Sequence, residues 1–397
     1  MRNIEIVPQV YSVGAVDWNM RSFHGHTYTT KRGTSYNSYL IVDDKIALVD
    51  TVYKPFTEEL IRNIQAITPL EKISYVIANH VETDHSGALP AIMKLCPNAQ
   101  LLGTAKCREG LYKNYYCNWN FKEVKTGDSV SLGKKTLFFI EAPMIHWPDS
   151  MFTYCPQESL LMPNDAFGQH LASSFIFTDE IDPCALWDEA AKYYANILWP
   201  LGPIISKKIT EVQRLGVPIK VIAPSHGLIW RNNPMEIVTK YLSWANNEVR
   251  PKAVIVYETM WGSTEKMARK IAQGIIDSGI EVKLFDINNS DRTEIVKEML
   301  DSRFFIFGSS THDNGMLPSM AGFLEFLRGL SPKNRVACAF GSFGWAGGAV
   351  KNIENIITAG GISLSSPGLG IKYRPDENEL RACFEFGKNI IKESGIN

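Results

Sequence analysis

After the apolar, strand-like run Ile73–Ala78 the chain reads His80-Val81-Glu82-Thr83-Asp84-His85, four strong ligand residues in six positions. Charged and imidazole groups at that density cannot enter a packed core unless they are paired or hold a metal. The segment is therefore expected in a loop leaving a buried strand. In an extended loop residues two apart share a face, so His80, Glu82 and Asp84 converge and His85 turns beside them. Three more ligand-type residues occupy matching contexts. His146 follows the strand pattern Thr136–Ile140, Asp165 follows Leu160–Met162, and His226 follows Val221–Ala223. A solvated polar loop does not account for that recurrence. A fold that collects the ends of several strands at one rim does, because such loops present side chains from a rigid scaffold. Helical patterns at Thr57–Ala66 and Leu186–Ile197 between the strand signals make this half a mixed sandwich of strands and helices.

These residues resemble the metallo-β-lactamase fold, and more closely the flavodiiron proteins within it. Hydrolases of that fold carry H-x-H-x-D-H, which suits zinc; here Glu82 stands where the second histidine would be. The resemblance implies an αββα sandwich with one iron bound by His80, Glu82 and His146. It places a second iron on Asp84, His85 and His226, with Asp165 bridging both. Charge is consistent with this set. Two ferrous ions would meet the three carboxylates Glu82, Asp84 and Asp165, and a hydroxide would complete neutrality in a partly buried site. Mixed imidazole and carboxylate donors suit non-haem iron, but zinc competes on affinity, so the residues alone leave iron or zinc open.

The second half has a different pattern. Past a connector at Asn246–Pro251, apolar runs at Ala253–Tyr257, Val282–Phe285, Phe304–Phe307, Val336–Phe340 and, more weakly, Gly361–Leu364 alternate with amphipathic segments. The last of those segments is Glu377–Lys392. Strand and helix in strict alternation predict an α/β, doubly wound parallel sheet, with domains at 1–248 and 252–397. The first strand–helix loop holds Thr259, Met260, Trp261, Gly262, Ser263 and Thr264, whose hydroxyls and amides at a helix N-terminus suit a phosphate. It has neither the P-loop lysine nor the dinucleotide glycine pattern. Later strands lead into Ser309, Ser310, Thr311, His312, Asp313 and Asn314, and into Ser342, Phe343, Gly344, Trp345 and Gly347. All three loops resemble the FMN-binding loops of flavodoxin-like domains. Thr259-Met260-Trp261 and Phe343-Gly344-Trp345 fall at the flavodiiron places, and Ser310 stands where proline is frequent.

The joint resemblance spans essentially the whole chain and implies an oxidoreductase with FMN and two iron ions. It would reduce dioxygen to water, nitric oxide to nitrous oxide, or both. The compact two-domain form leans towards dioxygen. His24 and Tyr194 match a histidine and a tyrosine beside the irons in the family, and His170 is expected nearby as a further proton donor. The seven cysteines form no Cys-x-x-Cys pair, so no rubredoxin-type centre is expected within the chain. An external donor is implied: rubredoxin, a reduced deazaflavin coenzyme, or a flavin reductase. A head-to-tail homodimer, or a dimer of dimers, is implied as well. A formal net charge of −1 without basic runs speaks against nucleic acid or an anionic membrane as partner. Met1–Val10 lacks the apolar core of a signal peptide, so a cytoplasmic protein is expected. Two rivals remain at this level: a zinc hydrolase with an accessory flavodoxin domain, and a plain electron carrier.

Overall fold

A computed structural model describes residues 4–393. The outermost positions of both expected domains, 1–3 and 394–397, lie outside the described residues. The chain divides into two compact units, one of residues up to 194 with 203–242, the other of 195–202 with 243 onward.

The first unit is built on two sheets. One runs in the order Ile4–Val7, Val10–Ser12, Tyr39–Ile41, Ile46–Val49, Ile73–Ile77, Gln100–Gly103, Phe121–Glu123. The other runs Ser129–Ser131, Thr136–Glu141, Met151–Cys155, Leu160–Met162, Val221–Ile222. Side chains alternate across the first sheet as the two-residue strand period requires. Tyr39, Ile41, Ala47 and Val49 point to a core shared with Leu137, Phe139, Met151 and Leu160 of the second sheet. Leu40, Leu48, Val76 and Leu101 point the other way, onto Leu60, Ile64, Leu89 and Ile92 of the flanking helices Thr57–Gln65 and Leu89–Leu95. The helix Gly202–Arg214 brings Ile205, Ile209 and Val212 over Phe152 and Leu161 on the outer face of the second sheet. This is the αββα sandwich.

The second unit holds a parallel sheet in the order Glu281–Asp286, Arg250–Glu258, Ser302–Ser309, Val336–Phe343, with helices such as Ser263–Asp277 and Pro318–Leu330 between strands. Its interior strand Arg250–Glu258 is buried from Lys252 to Glu258, since helices cover both faces of such a sheet. The edge differs from the expected single strand at 361–364. Two short strands, Ser363–Leu364 and Leu369–Lys372, both pair with Val336–Phe343. Pro367 and Gly368 interrupt the run between them.

Candidate metal centre and flavin pocket

The metal-type residues sit at the strand ends of the first unit, and the local backbone explains which of them meet. Two residues past the strand Ile73–Ile77, the backbone and side-chain N–H groups of Asn79 donate to buried Asp50 (2.8 and 3.1 Å). His80 and Glu82, two apart on extended chain, then share a face. The expected extended loop stops there. Thr83–Ser86 is one helical turn, with the amides of His85 and Ser86 donating to the Glu82 carbonyl (3.0 and 2.9 Å). Asp84 and His85 are therefore carried round to a second position instead of continuing the first.

Two groups result, His80, Glu82, His146 with Asp165, and Asp84, His85, His226; in each the ligand atoms lie within 4.8 Å of one another. Asp165 faces both. Its Oδ2 lies 3.3 Å from His146 Nε2 and 3.7 Å from His80 Nε2, while its Oδ1 lies 3.1 Å from His85 Nε2 and 3.4 Å from His226 Nε2. Asp84 Oδ2 is 3.1 Å from His226 Nε2. His80, Asp84, His85, Asp165 and His226 are buried, and Glu82 is partly exposed. Among the described residues, His80 Nε2, both oxygens of Asp84, both nitrogens of His85 and Asp165 Oδ2 are buried without a hydrogen-bond partner. So many orphaned donors and acceptors around one spot would be costly in an empty core, and they fit divalent cations held by nitrogen and oxygen.

Electrostatics point the same way. Burial would lower the histidine pKa values, but Asp149 and Glu82 beside His80 hold it up at about 10. Asp165 and Glu82 do the same for His146, at about 10, and Asp84 and Asp165 hold His85 at about 9. Burial works against Glu82 and Asp165 as anions, yet the surrounding histidines keep both well below the carboxylate range. Without metal the cluster is a knot of imidazolium and carboxylate, and cations would take the place of those protons. The ring orientations are already set for that. His80 Nδ1 donates to Asp149 Oδ2 (3.0 Å) and His226 Nδ1 to the Ser35 carbonyl (2.7 Å), so each Nε2 is turned to the cluster.

Asp149 was missed from sequence. It also accepts the Val81 amide (2.8 Å), and only its place three residues after His146 could have drawn attention to it. Tyr193 was missed too. Its hydroxyl donates to Asp165 Oδ1 (3.2 Å). Tyr194, expected in that place, instead sets its ring edge-on to Tyr241, 4.9 Å away. Successive helical residues diverge by about 100°, and Tyr193 ends the helix Pro183–Tyr193, so only one of the pair can face the carboxylate. His24 places Nε2 3.2 Å from Glu82 Oε1 at the partly exposed side. His170 is buried with Nδ1 2.8 Å from Thr34 Oγ1; burial and the neighbouring His226 and His24 push its pKa well down, which keeps it neutral. Gly227, beside His226, has φ +76°, and a Cβ there would strike Gln169, which accepts the Leu228 amide.

In the second unit the three loops surround a cavity of about 630 Å³. Of the expected residues, Met260, Trp261, Ser263, Ser310, Thr311, His312, Asp313, Asn314, Ser342, Phe343, Gly344 and Trp345 line it. Thr259, Gly262, Thr264, Ser309 and Gly347 do not, and they shape it from behind. Thr259 Oγ1 accepts the Gly262 amide (3.1 Å), Ser309 Oγ accepts the Leu317 amide (2.9 Å), and Gly347 packs beside the Phe343 ring. Buried Thr264 ties the loops together through Ser310 (2.9 Å) and Ser342 (2.8 Å). Trp261 is 93% and Trp345 90% exposed, two aromatic faces with nothing of their own unit covering them. Tyr373 and Arg374 also line the cavity and were missed, because they follow the edge strand Leu369–Lys372 that the sequence pattern did not reveal.

Known proteins reproduce this pairing of sites. Residues 34–227 match the ODP family beta lactamase and residues 255–387 match flavodoxin, a domain that indicates FMN. The chain is 52% identical to the nitric oxide reductase of Moorella thermoacetica, over 98% of each. It superposes on the rubredoxin oxygen:oxidoreductase of the anaerobe Desulfovibrio gigas with a TM-score of 0.96 at 36% identity, over 98% of each chain. Against the flavodiiron protein of Giardia intestinalis the TM-score is 0.95 at 36% identity, over 99% of this chain and 97% of that one. With a β-lactamase-like unit gathering two ligand groups on one carboxylate, a flavodoxin unit after it, and full-length relatives of both kinds, the chain belongs to the flavodiiron protein family of oxidoreductases.

Proposed function

We propose that this protein reduces nitric oxide to nitrous oxide, with dioxygen reduction to water as a second activity, at a non-haem diiron centre fed by FMN. The observation that carries the reading is Asp165, whose two oxygens face two separate ligand groups, the arrangement a bridged metal pair needs. His80, Glu82 and His146 would hold one iron, Asp84, His85 and His226 the other. Residues 1–248 would carry this chemistry and 252–397 the flavin. When bound, the irons and FMN supply electrons and open coordination positions to a diatomic molecule.

The chain's own residues do the rest. Asp149 and the Ser35 carbonyl fix the faces that His80 and His226 present. The Tyr193 hydroxyl holds a proton against Asp165 Oδ1, and His24 can hold another against Glu82 Oε1. His170, kept neutral, is bonded to Thr34 and adds no charge to the pocket. Phe23 packs at a tilt against His170 (ring centroids 4.6 Å apart) and Trp147 meets His80 edge-on (5.1 Å).

Nitric oxide is placed first because the Moorella relative, of the same compact length, is named a nitric oxide reductase, so chain form no longer favours dioxygen. The Desulfovibrio structure supports dioxygen as the second substrate. Family membership displaces the zinc-hydrolase and plain-carrier alternatives. An external donor (rubredoxin, a reduced deazaflavin coenzyme or a flavin reductase), a cytoplasmic setting and a head-to-tail homodimer complete the proposal. No helix among the described residues is long and apolar enough to cross a membrane. The test is anaerobic stopped-flow reoxidation of the fully reduced protein with each gas. Faster reoxidation by nitric oxide with nitrous oxide as product is expected; slow reoxidation by both gases overturns the proposal.

A further inference from the structure

A second cavity, of about 170 Å³, lies in the first unit between the outer face of the second sheet and the helices Gly202–Arg214 and Met235–Ala245. Its inner wall includes Ile145 and Ala166, the chain neighbours of His146 and Asp165, whose Nε2 and Oδ2 are 3.3 Å apart. The interior is apolar, with Ile209 and Val212 of the first helix opposite Phe152 and Leu161. The Tyr241 hydroxyl in its wall is engaged by the Phe167 amide (2.8 Å). The charged lining group is Lys208 at the rim, and its ammonium is paired with Glu211 (2.8 Å). Val217 and Met235 stand at the outer mouth, where the lining becomes exposed.

We propose that this cavity collects the uncharged diatomic substrate and delivers it to the metal centre from behind, between Ile145 and Ala166. The inference rests on the function proposed above. Its chemistry follows from the lining. An apolar cavity of about 150 Å³ lined by Leu, Ile and Phe stays dry and takes up benzene or xenon. Nitric oxide and dioxygen need no hydrogen-bond partner and lose little hydration on entering such a space, whereas an anion or an ester would lose its water without replacement. The gas then leaves the cavity past Ile145 and Ala166, beside Asp165. The partly exposed side, by Glu82 and His24, is polar and remains the route for water and protons.

Xenon is the probe for occupancy and does not depend on catalysis. Pressurised crystals of the holoprotein are expected to show xenon inside the cavity, and a cavity that stays empty of xenon overturns the proposal. Val212→Phe fills the interior, and Val217→Phe narrows the mouth from a loop, so one variant remains if the other does not fold. Each is expected to slow the bimolecular reoxidation of the reduced holoprotein by nitric oxide and dioxygen about fivefold or more. Iron content, FMN content and the rate at saturating gas should stay unchanged. An unchanged bimolecular rate in a xenon-excluding variant overturns delivery through the cavity while leaving the proposed function intact. A wild-type protein unreactive with both gases removes that function and this inference together.

Discussion

Replacing Asp149 with asparagine isolates the effect of one buried charge on one half of the metal centre. Asp149 is 3% exposed, and a single oxygen accepts both the His80 ring N–H (3.0 Å) and the Val81 amide (2.8 Å). An asparagine carbonyl can still accept both, so the backbone and the ring position are retained while the charge is lost. A charge-assisted hydrogen bond is worth about 1.5–3 kcal/mol against about 1 kcal/mol for a neutral one. The difference, about 0.5–2 kcal/mol, corresponds to about 2–30-fold weaker iron binding at the His80 side, which overlaps the lower part of the range of about 10–100-fold found when a carboxylate behind a metal-bound histidine is removed. The assay is chelator competition on the iron-loaded protein, followed by iron release. Release should become biphasic, with the iron next to His80 leaving first and the Asp84–His85–His226 iron leaving near its original rate. Asp149→Leu should lose more, because it also leaves the buried Val81 N–H unpaired. The metal-free protein offers an independent readout. His80 is raised to about 10, so its pairing contributes stability that is complete below about pH 6.5 and disappears as pH rises through 10. Asp149→Asn should shrink that alkaline loss. Wild-type affinity at both sites, or equal weakening of both, would refute the reasoning.

Other outcomes follow from the same geometry. Tyr193→Phe removes the hydroxyl on Asp165 and should slow single-turnover reoxidation about tenfold with iron content unchanged, whereas Tyr194→Phe should leave the rate within about twofold. Trp345→Ala deletes a ring that is 90% exposed, so melting temperature should barely move while FMN affinity, read by fluorescence quenching, falls several-fold. Thr264→Val cuts the bonds to Ser310 and Ser342 and should weaken FMN binding about tenfold in the same titration. In the second unit burial would raise Asp301, but Arg250 and Lys252 hold it below the usual carboxylate value. Its stabilisation is therefore present above about pH 4 and lost as pH falls through its lowered value. Asp301→Asn should cost about 1 kcal/mol at neutral pH in denaturant melts, discounted for its solvent-facing side, and the difference should close in acid.

Much of this molecule could be read from its residues. The candidate ligands His80, Glu82, Asp84 and His85 are neighbours in sequence, and the strands that lead to His146, Asp165 and His226 announce themselves by apolar runs. Regular strand–helix alternation likewise specified the parallel sheet of the second unit and put its loops at strand ends. Those features depend on local chemistry and period, which a linear string records. Three things were decided only in three dimensions. The helical turn at Thr83–Ser86 sorted four adjacent candidate ligands into two groups. Helix phase chose Tyr193 over Tyr194. Packing brought Asp149 to His80 across 69 positions and Ser35 to His226 across 191. A hydrogen-bond partner has no sequence signature when any carboxylate or carbonyl of the right reach would serve. A cavity has even less, because it is defined by what the surrounding side chains fail to fill.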